Sequence, residues 1–128
     1  MTVYHRYIIA NGNATTIEEL QQGLQEVDPR FNIDGDAIVF KDTECGIIDV
    51  TNRGNPIFDG DIDLLTHLAE KSRQRNEIRQ ALSDSRCMVT VQPISTAYET
   101  AFDLLWEWLR INREGILAYE GGHFRIDA

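Results

Sequence analysis

No stretch of this chain is apolar for long enough to cross a bilayer as a helix. The segment Met1 to Ala10 reads as a strand and lacks the basic-then-apolar layout of a secretory signal. Cysteine is scarce: Cys45 and Cys87 stand alone, in neither a metal-ligand nor a redox spacing, and both lie in apolar strand-like runs. That placement predicts two buried free thiols and hence a reducing, cytoplasmic location, with a single disulfide as the alternative. The glycine patterns that cradle phosphates, GxGxxG and GxxxxGK[ST], are missing, as is the GxSxG nucleophile elbow. The three histidines, His5, His67 and His123, form neither HxxxH nor HExxH. A Cys–His catalytic pair would need Cys45 or Cys87 to meet one of them in space. The sequence therefore predicts no cofactor and no metal, and it leans away from an enzyme.

Positive charge is lacking in one place only. Between Glu18 and Asp63 there are twelve acidic residues against Arg30, Lys41 and Arg53, while the rest of the chain carries equal numbers of each sign. The whole net charge of −9 is thus concentrated in that segment. Such a field repels nucleic acid and anionic membrane and attracts a basic partner. A solvated surface that only keeps the protein soluble is the plainer explanation. The one basic cluster, Lys71, Arg73, Arg75 and Arg79, has no interleaved aromatics and points several ways around a helix, a weak nucleic-acid signal.

The 128 residues suit one domain, and 42% hydrophobic residues supply a core. Val3 to Ala10 is a strand ended by Asn11-Gly12-Asn13. Thr16 then opens a helix, with Glu19 completing a capping box and Ile17, Leu20, Leu24 and Val27 as its stripe. Asp28-Pro29 stops that helix. Ala37 to Lys41 and Cys45 to Val50 form a hairpin through Asp42-Thr43-Glu44. After a loop from Asn52 to Gly60, Asp61 caps a second helix with Ile62, Leu65, Leu68 and Ala69 inward. Its apolar phase drifts, so a bend or a break falls between Ser72 and Asn76. Cys87, Val89 and Val91 alternate along a strand closed by Pro93. A long helix from about Thr96 to Arg113 precedes a hairpin at Gly121-Gly122, whose Phe124 and Ile126 face inward.

The predicted class is α+β, a mostly antiparallel sheet with helices on one face, in the order β-α-β-β-α-β-α-β-β. Either a ferredoxin-like core with an added αββ or two βαββ units satisfies that order.

Two constellations remain. Asp59, Asp61, Asp63 and Glu70 imitate EF-hand spacing, but Leu64 stands where the loop needs glycine, and acidic residues at a helix start complement its dipole. On the long helix, a 100° wheel gathers Tyr98, Ala101, Phe102, Leu104, Leu105, Trp108, Leu109 and Ile111 on an apolar arc. Trp106 falls in the polar arc between Arg110 and Arg113. Tryptophan and arginine are enriched at interface hot spots, so Trp106, Phe102, Arg110 and Arg113 are the expected partner-binding patch, unless another element covers Trp106.

Three functions are weighed against these features, of which an enzyme without a recognisable motif has the least support. The first is a non-catalytic protein-binding module, immunity- or inhibitor-like or adaptor-like, whose acidic half meets a basic partner. Small acidic bacterial proteins that neutralise toxins offer an analogy of charge and size alone. The second is a homodimeric regulatory or small-ligand-sensing domain.

Overall fold

The computed structural model describes residues 4–94, 99–119 and 123–126. The elements follow one another as β1 (His5–Ile9), α1 (Ile17–Val27), β2 (Phe31–Asp34), β3 (Ala37–Phe40) and β4 (Thr43–Asn52). They continue as α2 (Pro56–Ala69), α3 (Arg75–Asp84), β5 (Cys87–Pro93), α4 (Glu99–Asn112), β6 (Gly115–Tyr119) and β7 (His123–Ile126). The class is the expected one, α+β with an antiparallel sheet. Among the described residues seven strands lie in the order β2-β3-β4-β5-β1-β6-β7, and every neighbouring pair is antiparallel.

The element order is broadly compatible with the ferredoxin-like plan, with one strand more. That strand, β2, alternates Phe31 and Ile33 inward with Asn32 and Asp34 outward, a pattern only four residues long. The two chain halves interleave at the centre of the sheet. β1 runs between β5 and β6, and β5 between β1 and β4, so each half's first strand pairs with the other half's hairpin.

Local chemistry explains most of the boundaries. The Thr16 hydroxyl accepts the Glu19 backbone N–H at 3.1 Å, forming one side of the expected capping box. α1 ends at Asp28 as Asp28-Pro29 requires, and Val27, read as part of the core stripe, is exposed at that last position. The turn joining β3 to β4 is shorter than expected. Phe40 pairs with Thr43, and the two residues between them, Lys41 and Asp42, both have positive φ (54° and 62°), as a type I′ turn demands.

The largest boundary shift is at α2. Its cap is Asn55, not Asp61: the Asn55 Oδ1 accepts from Ile57 N–H at 2.8 Å, and Pro56 fills the first helical position. Proline at that position costs no hydrogen bond, so the apparent loop Asn52 to Gly60 already contains helix. The break foreseen between Ser72 and Asn76 is real and separates α2 from α3. The Gly121-Gly122 turn, Tyr98 and the expected helix start at Thr96 lie outside the described residues.

Helices cover both faces, where one was expected. On the first face Tyr7, Ile9, Cys87, Val89, Val91 and Leu117 meet α1 and α4. On the second, Ile8, Met88, Ile116 and Ala118 meet Phe58 and Leu65 of α2 and Ile78 and Leu82 of α3. The reason is visible in the central strands. Tyr7-Ile8-Ile9 and Cys87-Met88-Val89 are apolar at consecutive positions, and a strand of that kind must be covered on both sides. Arg53, next after β4, fastens the second layer: its guanidinium donates to the carbonyls of Leu82 (3.0 Å), Ser83 (3.1 Å) and Ser85 (2.8 Å) at the end of α3. The same group lies over the Phe58 ring, 5.3 Å from its centroid. Among the described residues no helix is long and apolar enough to cross a membrane.

Candidate functional site

The four residues expected to form a patch on α4 do not share an exposed surface. Trp106 is only 6% exposed and Phe102 8%, and both belong to the first-face core. Trp106 stacks on His5 and Tyr7 of β1, with centroids 6.4 and 6.5 Å away. The wheel placed Trp106 among polar residues, yet it lies next to Phe102 on the rim of a wide apolar stripe. The aromatic side chains of β1 extend the core far enough to cover that rim. Trp108, which the wheel places on the apolar arc, sits on the flank toward α1 and is only partly buried. A Cβ on Gly23 of α1 would come within 2.4 Å of its indole, so the two helices approach closely there.

Arg110 is exposed. Arg113 is committed within the chain: its guanidinium donates to the Ala14 carbonyl at 2.9 Å and forms an ion pair with Glu19. That contact draws the Glu19 carboxylate away from the capping box and ties the end of α4 to the start of α1. The Arg113 carbonyl in turn accepts the Tyr7 hydroxyl at 2.7 Å.

The cysteines are free and buried. Cys87 pairs with Asn52, seven residues along β4 from Cys45, which separates the two thiols by roughly 23 Å at 3.3 Å per residue and rules out a disulfide. Burial pushes both thiols above their usual pKa. Cys87 Sγ lies 3.8 Å from the Thr15 carbonyl and Cys45 Sγ 3.2 Å from that of Thr43. His5 pairs with Val91, four residues along β5 from Cys87, and His67 lies exposed on α2 near Glu70. In the folded protein at neutral pH, neither cysteine is expected to react with a thiol-specific reagent, whereas both label at once in denaturant. Labelling followed by mass spectrometry reads this directly, and rapid modification of native protein would contradict the packing. Because the folded-state pKa values are raised, the thiols' contribution to stability is complete below the unfolded pKa and is lost as the pH rises into the alkaline range.

Asp59, Asp61 and Asp63 all lie within α2, so they do not form a calcium loop, and no cluster fit for a metal occurs among the described residues. Asp59 accepts from Gly54 N–H at 3.3 Å, and Asp61 forms an ion pair with Arg6 at 3.3 Å. Lys71, Arg73, Arg75 and Arg79 are exposed around the turn from α2 to α3, with Arg79 paired to Glu70.

The site that stands out lies on the second face and was not legible as a site in the sequence. α2 and α3 cover that face over β5, β1 and β6. Over β2, β3 and the first half of β4 no described helix lies on it: α2 reaches β4 only toward its far end, where Thr51 is buried, although α1 covers the β2 side on the first face. Register defines the open floor. Asp34, Ala37, Ile47 and Gln92 form one row across β2 to β5, and Asn32, Val39 and Glu44 form the next. Asp49 begins a third row that continues through Thr90 to Arg6. The α2 residues Ile57 and Asp61 wall a cleft of about 310 Å³ at the border, shared with Tyr4, Arg6, Asp49 and Thr90.

This half-face is apolar at its centre and acidic at its rim. Ile47 is 37% exposed, Tyr4 43% and Ile57 61%, and Leu64 is exposed two turns beyond Ile57 along α2. Asp34, Glu44 and Asp49 are exposed beside them. One sequence signal pointed here: Ala37-Ile38-Val39-Phe40 is apolar at every position, the pattern of a strand covered on both faces. Ile38 and Phe40 are buried, whereas Ala37 and Val39 are only partly covered.

Comparison with known proteins adds no assignment. No protein-family model matches the chain, and no curated protein or solved structure is significantly similar to it.

Proposed function

We propose that this chain is a non-catalytic protein-binding module that takes a basic partner on the open half of its second sheet face. The observation that carries the reading is the uncovered surface over β2, β3 and the first half of β4, with Ala37, Val39 and Ile47 at its centre and Asp34, Glu44 and Asp49 around it. Apolar area left in water costs about 25 cal/mol per Å², and a contiguous patch with a charged rim is the usual form of an interaction surface. The acidic rim selects a basic partner and raises the rate of encounter, and it opposes self-association through this face.

Affinity capture at about 0.05 and 0.5 M salt tests the proposal, with the D34K/E44K/D49K variant beside the parent. Screening weakens contacts between exposed charges within a shorter Debye length at the higher salt. The expected result is a basic protein retained at low salt, shed at high salt and not retained by the variant. Equal capture by parent and variant would remove the half-face from the reading, and an acidic captured protein would remove the charge argument.

A further inference from the structure

We infer that the occupant of the open half-face is a single amphipathic α-helix of the partner, laid beside α2 with its apolar stripe on Ala37, Val39 and Ile47 and its basic flanks toward Asp34, Glu44 and Asp49. The inference rests on the proposed binding role and specifies the element that the role requires.

Three observations converge on a helix. The first is the layer plan. The first face carries two helical positions, α1 over the β2 side and α4 toward β6, while on the second face the described helices lie over β5, β1 and β6 and reach β4 only near Thr51, leaving β2, β3 and the start of β4 open. A helix in the vacant position would complete the second layer opposite α1. The second is size. From β2 to β4 there are two strand spacings, about 10 Å, which is the diameter of one helix with its side chains. The third is the wall. Ile57, Asp61 and Leu64 follow one another at helical spacing along one flank of α2, and Ile57 and Leu64 are 61% and 46% exposed. A helix seated on the floor would find them at the 8–10 Å interaxial distance usual for packed helices.

Charge decides between occupants. A second copy of this chain, placed face to face by a two-fold axis, would bring the acidic rims of both copies together, and like charges across an interface cost stability. A helix with Lys or Arg flanking its apolar stripe meets the rim with opposite charge. An extended segment added to the free edge of β2 would use backbone hydrogen bonds and leave Ile47, Tyr4 and Ile57 in water.

The test uses two synthetic peptides of about 14 residues, long enough to form a helix when bound. One places leucines at i, i+3, i+4 and i+7 with lysines on the flanks. The other has the same composition except for a central proline, which breaks the helix. Binding to the full chain is followed by titration and by amide shifts in isotopically labelled protein. The helical peptide is expected to bind about tenfold more tightly than its proline counterpart, a difference of about 1.4 kcal/mol. Its shifts are expected at Ala37, Val39, Ile47 and Asp49, and Ile47→Glu is expected to weaken it about tenfold. Ile47 is 37% exposed, and an unfolding midpoint close to the parent's shows that the loss is one of binding and not of folding.

Equal affinity of the two peptides, still weakened by salt and by D34K/E44K/D49K, would overturn the helix while leaving the basic-partner reading intact. Shifts confined to the β2 edge, Phe31–Asp34, would replace the helix by strand addition. Absence of binding by both peptides would overturn the helix, and the basic-partner reading then stands or falls on the salt-dependent capture and its loss in D34K/E44K/D49K.

Discussion

Trp106→Ala is expected to lower the unfolding free energy by about 3–5 kcal/mol, the range for removing a buried tryptophan. The indole is 6% exposed and stacks on two rings of β1, so its removal leaves a cavity between α4 and the sheet and also removes two aromatic contacts. Against a total stability of about 5–15 kcal/mol for a domain, the loss is large enough to leave the variant marginally folded. Had Trp106 faced solvent, as the helical wheel suggests, truncation would have left stability nearly unchanged. Urea unfolding distinguishes the two. Trp106→Phe is expected to recover much of the loss, and the exposed Arg110→Ala is expected to stay within about 0.5 kcal/mol of the parent. A Trp106→Ala midpoint equal to that of the parent would mean that α4 does not dock on β1 as described.

Gly115→Ala is expected to destabilise by about 3 kcal/mol or more, although it adds a single methyl group. Gly115 begins β6 opposite Ile9. A Cβ there would stand 2.2 Å from the Ile8 carbonyl oxygen and 2.7 Å from the Tyr7 ring. The nearest atom belongs to the backbone of a central strand, so no side-chain rotation relieves the contact, and β1 and β6 must separate. The cost falls where the Tyr7 hydroxyl holds the Arg113 carbonyl, which joins the end of α4 to the sheet. Gly60→Ala is the control with opposite sign. Gly60 lies inside α2 with nothing within 4 Å of its added Cβ, so alanine is expected to stabilise by about 0.5–1 kcal/mol. Thermal unfolding of the pair reads both signs, and a loss of equal size in the two variants would contradict the close approach of β1 and β6.

These two sites show why the surface first expected for a partner moved. Placing residues around α4 by angle alone identifies which of them are neighbours, and it put Trp106 beside Phe102. It carries no information on how wide a surface the sheet presents to the helix. His5 and Tyr7, about a hundred residues earlier in the chain, decide that Trp106 is core. The same applies to Arg113, whose partners Ala14 and Glu19 are equally remote in sequence. The open half-face was hidden for the converse reason. Ala37, Val39 and Ile47 look like ordinary strand residues, and their exposure follows only from where α2 and α3 come to rest.

Local sequence sets the kinds of element and most of their limits. The Thr16 cap, the stop at Asp28-Pro29, the break between α2 and α3, and the alternation of Cys87, Val89 and Val91 are all local, and backbone geometry with side-chain period is enough to set them. The start of α2 is the exception: Asn55-Pro56 carries a cap and a first-turn proline, yet the same residues suit a loop equally well. Only long-range packing set β1 between β5 and β6, placed helices on both faces, and left β2, β3 and the first half of β4 covered on one side. Those choices depend on contacts between segments far apart in the chain. Periodicity can show that a face must be covered, but not which element will cover it.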